Sequence, residues 1–338
     1  MNGKPRIKDI AEMVGVSPST VSNVLNNRKG ASIEIARRIR DLAAELNYET
    51  PSSANGNGKH IRLVVSRKHG LVVMDTQFFA ELIAGIESEC RANHVDLMIT
   101  NLTVDDSAEC KEQINQICSE VCGGIILLAT ELPPEDLKSF FNCRSRLLVL
   151  DNSSQHLPVS AVAINNYEAG YQAAHVLSDA GHKKIGYIGS KPDFNNMAER
   201  RGGFLRGLSD AGIPYDTAYE LYLTPTLEGA LSDMDGLLSE GKVPLADAYF
   251  AANDILAIGA IRAMQQHGIR LPEDVSIIGM DDLALCGVVT PNLSSLRVPR
   301  IQMGRTAVRQ LLQDEFCGLK TFVDVEPVLR ESTKVVSN

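Results

Sequence analysis

Apolar residues recur at helical spacing through the first fifty positions and at a different rhythm after position 60. Ile7, Ile10, Ala11 and Val14 share one face of a short helix. Gly15 ends it in a tight turn. Ser17 stands as an N-cap, and Pro18 takes the first helical position, where its missing N–H costs nothing. Val21, Val24 and Leu25 form the buried side of a second helix, whose other side carries Ser19, Thr20, Ser22, Asn23 and Asn26. Ala36, Ile39, Leu42, Ala43 and Leu46 line a third helix ending at Asn47-Tyr48. A second helix packed on a first, with a short hydrogen-bonding outer face, suits a reader of the DNA major groove.

Residues 51–60 are Pro, Ser, Asn and Gly without an apolar anchor and read as a linker. Beyond them buried strands alternate with amphipathic helices. Strands over Ile61–Val65, Leu97–Thr100, Gly124–Leu128 and Leu147–Leu150 are separated by helices over Phe78–Ala92, Ala108–Cys122 and Glu135–Phe141. A second series has strands at Val162–Ile164, Lys184–Ile188, Ala248–Ala251 and Val275–Met280, with helices at Glu168–Ala180, Ala198–Ala211, Leu227–Ser239 and Ile255–His267. Such alternation predicts βαβ units and two lobes built on mostly parallel sheets.

The run Ile7-Lys8-Asp9-Ile10-Ala11, with Gly15-Val16-Ser17, Thr20-Val21-Ser22 and Val24-Leu25-Asn26, resembles the amino terminus of the LacI/GalR family of bacterial transcription regulators. The resemblance continues through Gly181–Gly189, Ala251–Asp254, Leu271–Ser276, Gly279–Asp282 and Arg330–Thr333. It implies an all-α helix-turn-helix head (1–50), a linker (51–60) and a two-lobed α/β body resembling periplasmic binding proteins (61–338). Lobe 1 is expected over about 61–164 and 292–324, and lobe 2 over about 165–291 and 325–338. The crossings are placed near Ile164–Asn166, Pro291–Arg297 and Val323–Pro327.

By the same resemblance, Pro18, Ser19 and Asn23 read bases, Thr20 and Ser22 hold phosphates, and Asn26, Arg28 and Lys29 add backbone contacts. The expected partner is a pseudo-palindromic double-stranded operator bound by a homodimer, with half-sites about ten base pairs apart. The chain ends eight residues after Arg330, which favours a dimer over a tetramer. The linker departs from the family: Ser53–Gly58 has no Leu to wedge into the minor groove, and two Gly disfavour a hinge helix.

Charge fits this division. The net charge is −9, yet residues 1–60 hold nine Lys and Arg against six Asp and Glu, a formal +3. The remainder has 24 against 36, a formal −12, so a small basic head sits on an acidic body. No apolar run reaches membrane-spanning length, and Met1–Arg6 opens no signal peptide, so the expected compartment is the cytoplasm. The seven Cys show no metal-ligand spacing, and Cys118 and Cys122 read as buried thiols. Neither metal nor cofactor is expected.

Ligands of two-lobed α/β proteins bind at the carboxyl ends of strands. The family resemblance implies that Asp151, Arg200, Asn253 and Asp281, all just past strands or opening the next helix, occupy effector-contacting positions; with Phe78 and Phe194 they are the effector candidates. Carboxylates, a guanidinium, a carboxamide and aromatic faces suit a polyhydroxyl ligand, most simply a sugar. The chain has no Trp, the favoured sugar-stacking residue, which leaves a nucleoside or another polar metabolite open. Asp254 reads as an N-cap of the Ile255–His267 helix, Phe79 as core or interface, and Arg200 has an alternative role in an interlobe salt bridge. The segment Ser66–Gln77 is longer than the Pro-Asp-x-x-Asn-Pro loop of the family and borders the cleft. Two rival classes lack their defining residues. An α/β enzyme would need a nucleophile elbow, a phosphate loop or a metal motif, and none occurs. A solute-binding protein would need a secretion signal and no head.

Overall fold

A computed structural model describes residues 7–25, 33–46, 60–73, 77–153, 157–241, 243–316 and 318–334. The chain divides into two compact units, Met1–His60 and Ile61–Asn338. In the first, α1 (Ile7–Val14), α2 (Pro18–Leu25) and α3 (Ile33–Glu45) enclose a small core of Ile10, Ala11, Val21, Val24, Ile39 and Ala43. Gly15 adopts φ +76°, a turn that any side chain would strain. Ser17 caps α2, its Oγ accepting the Thr20 N–H at 3.1 Å.

The second unit runs β1 (His60–Arg67), α4 (Gln77–Ala92), β2 (Asp96–Thr103), α5 (Ala108–Ser119), β3 (Gly124–Leu128), α6 (Pro134–Leu137), β4 (Leu147–Leu150) and β5 (Ser160–Ile164). It continues through α7 (Asn166–Asp179), β6 (Ile185–Ser190), α8 (Asn195–Asp210), β7 (Glu220–Leu223), α9 (Leu227–Ser239), β8 (Ala248–Ala251), α10 (Asp254–Gln266) and β9 (Ser276–Asp281). It closes with β10 (Ser294–Arg297), α11 (Arg300–Leu312), β11 (Lys320–Val323) and β12 (Glu326–Val328). Two six-stranded sheets result, ordered β11-β5-β4-β3-β1-β2 and β12-β10-β9-β8-β6-β7. The central strands pair in parallel, and β12 joins β10 antiparallel at an edge. Fully buried stretches such as Gly124–Leu128 and Ser276–Asp281 are what a sheet covered on both faces requires.

The chain crosses between lobes three times. The middle crossing corrects the expectation that lobe 1 resumes at 292. Ser294–Arg297 pairs in parallel with Ile278–Asp281, so it belongs to lobe 2, and the chain returns only through Val298 and Pro299. The buried Leu296 side chain adds to the lobe 2 core, which is the packing reason for the placement. Cys118 is buried as expected but forms a disulfide with Cys143 from the neighbouring turn, their Cα atoms 3.9 Å apart, while Cys122 stays free.

Glycines set the helix spacing in lobe 2. A Cβ on Gly170 of α7 would lie 1.8 Å from the Arg200 carbonyl oxygen, and one on Gly203 of α8 would lie 1.7 Å from the Tyr167 carbonyl oxygen. The two backbones touch reciprocally, and this contact fixes the turn of α8 that carries Arg200. Gly203→Ala is expected to destabilise the body by about 1–3 kcal/mol through overpacking. Gly236→Ala, in the helix α9 with open space at its Cβ, should stabilise it by about 0.5–1 kcal/mol. Urea unfolding of both variants checks the pair; equal effects would refute the close contact as the cause.

Candidate effector pocket and DNA-reading helix

Most pocket residues are delivered by a strand end or by the helix that follows one. Thr130 comes just after β3, Asp151 directly after β4, Asn253 after β8, and Asp281 closes β9. Phe78 and Phe79 open α4. Phe194 is the N-terminal flank of α8, and Asn196, Met197 and Arg200 lie in its first turns. Together with Val72 they line one cavity between the lobes. The six candidates Phe78, Asp151, Phe194, Arg200, Asn253 and Asp281 therefore stand around one space.

Asp151 and Asp281 both adopt left-handed backbone, with φ 58° and 110°. Non-glycine residues hold such conformations only where the surroundings enforce them, commonly at functional sites. Asp151 is buried; its Oδ2 accepts the Thr130 hydroxyl at 2.6 Å, and its backbone carbonyl accepts the Asn196 Nδ2 at 3.0 Å. Burial pushes its carboxyl up to about 7, against the pull of Thr130 and the Arg200 charge. Burial likewise raises Asp281, while Arg200 and Arg300 pull it back.

Arg200 is buried in lobe 2, donating from Nε to Asn166 Oδ1 at 2.8 Å and from Nη1 to the Ala252 carbonyl at 2.5 Å. It forms no salt bridge across the lobes among the described residues, contrary to its alternative reading. Its guanidinium is anchored by neutral acceptors, leaving its charge directed at Asp151 and Asp281.

Asn253, rather than Asp254, caps α10, its Oδ1 accepting the Leu256 N–H at 2.9 Å. That bond turns the amide Nδ2 into its remaining polar group, a donor. Asp254 is instead wholly buried, accepting from Leu283 N–H, Ser295 Oγ and Cys286 Sγ at 2.8, 2.6 and 3.1 Å. It ties the end of β8 to β9 and β10. Phe79, read as core or interface, packs edge-on against Phe78 at 5.1 Å and also reaches the cavity.

Four lining residues escaped the sequence reading: Val72, Thr130, Asn196 and Met197. Asn196 is the most telling. Its Oδ1 is buried without a hydrogen-bond partner among the described residues. Buried acceptors rarely stay unpaired, so the position suits a donor brought by a ligand. The signal was present in Asn195-Asn196, two carboxamides at the start of a helix that follows a strand.

On the head, Pro18 and Ser19 are exposed, and Thr20, Ser22 and Asn23 are partly exposed, all along α2. The Ser17 hydroxyl bonds to Ser19 Oγ at 2.7 Å and Thr20 Oγ1 at 2.8 Å, linking the first-turn hydroxyls into one patch. Asn26, Arg28, Lys29 and the linker 51–59 lie outside the described residues. No helix among the described residues is long and apolar enough to cross a membrane.

A three-helix head with a polar second helix and a two-lobed body around a polar cavity are the parts of a DNA-binding transcription repressor. Residues 6–51 match the family described as bacterial regulatory proteins, lacI family, and residues 173–333 match the periplasmic binding protein-like domain. The chain is 32% identical to a ribose operon repressor of Haemophilus influenzae, over 91% of each chain. It is 28% identical to the HTH-type transcriptional repressor PurR of Pasteurella multocida, over 97% of this chain and 98% of that one. Its fold is similar to that of a lac repressor dimer bound to operator and the anti-inducer ONPF, with TM-score 0.71 and 22% identity over 98% of this chain and 100% of that one. The chain belongs to the LacI family; its relatives are repressors, not enzymes.

The raised Asp151 carboxyl has a pH consequence. Its folded value of about 7 exceeds the ordinary 3.8, so its contribution to stability is full below about 4 and is lost as pH rises through 7. Asp151→Asn removes that loss, and should gain on the wild type by roughly 2 kcal/mol between pH 5 and pH 8. Denaturant unfolding at the two pH values checks this; a variant that tracks the wild type in parallel would contradict it.

Proposed function

We propose that this repressor is controlled by a small, neutral, polyhydroxylated effector, most simply a monosaccharide, bound between its lobes. The observation that carries the reading is the lining itself. Two buried carboxylates and the Asn196 oxygen accept hydrogen bonds, Arg200 and the Asn253 amide donate them, and Phe78, Phe79 and Phe194 supply apolar faces. Sugar hydroxyls both donate and accept, while sugar C–H faces rest on aromatic rings. The name of the Haemophilus influenzae relative, a ribose operon repressor, points the same way.

The rest of the function follows from two copies. A homodimer in the cytoplasm lays the α2 helices in successive major grooves of a pseudo-palindromic duplex, with Pro18, Ser19 and Asn23 toward base edges and Thr20 and Ser22 toward phosphates. Asn26 extends that contact. The effector draws the lobes together, which changes the spacing of the two heads. A coupling of about 1–3 kcal/mol alters operator affinity by roughly 5- to 150-fold.

Fluorescence anisotropy on an operator selected from random duplexes tests this. D-ribose is expected to shift operator affinity within that range, and Asp151→Asn to abolish the shift while operator binding without sugar persists. Adenosine in place of D-ribose distinguishes a nucleoside effector. Asn23→Ala should lose discrimination between operator and random DNA while retaining binding at low salt. If Asn23→Ala discriminates as the wild type does, the assignment of α2 as the reading helix fails.

A further inference from the structure

Glu131 lies just past Thr130, outside the cavity lining, and its side chain is buried. Among the described residues its carboxylate forms no salt bridge. Instead Oε2 accepts the backbone N–H groups of Lys68, His69 and Gly70, each at 2.9 Å. Oε1 accepts those of Val72 and Val73, at 3.0 and 3.2 Å. Five consecutive-stretch amides converge on one side chain, as a backbone nest converges on an anion. Burial alone would raise the Glu131 carboxyl, but these backbone bonds outweigh it and hold the group below the ordinary glutamate value.

The loop so held is the segment that departs from the family pattern, and it borders the pocket. Val73 anchors in the core, and Val72 lines the cavity. His69 reaches across to lobe 2, its ring edge-on to Phe194 at 6.3 Å. Gly70 supplies the left-handed turn, φ +66°, that lets three successive N–H groups face inward. Without regular secondary structure, this wall has its shape from one buried anion.

We propose that Glu131 is a positioning residue for effector selectivity: by gathering residues 68–73 around its carboxylate it sets the first-lobe wall of the pocket. The inference rests on the lining described above being the effector site. A charge-assisted bond to a carboxylate is stronger than one to a neutral amide, and Gln at this position would turn an N–H₂ toward N–H donors. Glu131→Gln keeps the size of the side chain and breaks the match.

Two measurements test it. Amide hydrogen exchange on the wild-type protein should find Lys68, His69, Gly70, Val72 and Val73 protected at least 100-fold over unstructured chain, although the loop is partly exposed. In Glu131→Gln the same amides should exchange at least tenfold faster, with the lobe 2 amides as internal reference. Thermal shift against D-ribose, D-xylose, D-glucose and cellobiose should then find the wild-type preference among sugars narrowed by tenfold or more in affinity. Unprotected loop amides in the wild type overturn the clasp, and need no variant to fold. Faster exchange with an unchanged sugar preference overturns the role in selectivity. A wild type that none of the four sugars stabilises removes the sugar reading of the pocket, and the exchange result then still decides the clasp.

Discussion

Two carboxylates are buried at the place where the lobes meet, and the arrangement of the body answers to the cost of keeping them there. An ionised group away from water must find charge or hydrogen bonds or give up its charge. Asp151 and Asp281 do some of each. Both sit at strand ends on left-handed backbone, one from each sheet. Thr130 and Asn196 supply hydrogen bonds to the first, and Arg200 supplies charge to both. Burial still raises them toward neutrality. On the proposed reading, a ligand bringing hydroxyl donors would complete what the protein leaves unfinished.

The surrounding packing serves that cluster. Arg200 is placed by the reciprocal glycine contact between α7 and α8 and steadied by Asn166 and the Ala252 carbonyl. Arg300, at the start of α11 in lobe 1, donates to the carbonyl of Asp281 in lobe 2, pairs with Glu81, and lies over the Phe78 ring at 5.9 Å. Asp282 accepts Arg297 and Arg330 at 2.7 and 2.6 Å, so the second and third crossings of the chain are tied near the same strand end. Ser153 of lobe 1 donates to Glu199 of lobe 2 at 2.5 Å. Among the described residues, several of the contacts that cross the cleft are polar. Such contacts are exchangeable, which suits the lobe movement proposed above.

Much of this was legible in the residues. Period-3.6 spacing, Gly15 and the Ser17-Pro18 pair define the head, because local chemistry decides helix starts and stops. The alternation of buried strands and helices defines the two parallel sheets. Pocket candidates could be named because α/β proteins present ligands with strand carboxyl ends, so Asp151 and Asp281 announce themselves by position. What stayed hidden depends on tertiary contact. Asn253 and Asp254 are adjacent, and only the fold decides which caps α10 and which is buried against Ser295. Ser294–Arg297 is too short and too polar at its start to declare which sheet it joins. Val72 and Glu131 belong to an irregular loop, where no periodicity marks which amide faces which carboxylate. Asn196 is hinted at by the Asn195-Asn196 pair, but its weight comes from a buried oxygen without a donor among the described residues.

The account is tested most directly by a crystal structure of the protein grown with D-ribose. It predicts one sugar per chain between the lobes, its hydroxyls bonded to Asp151, Arg200, Asn253 and Asp281 and its ring face against a phenylalanine, with the Asn196 oxygen now paired. A sugar bound elsewhere, or one within the cleft that leaves both carboxylates untouched, would contradict it.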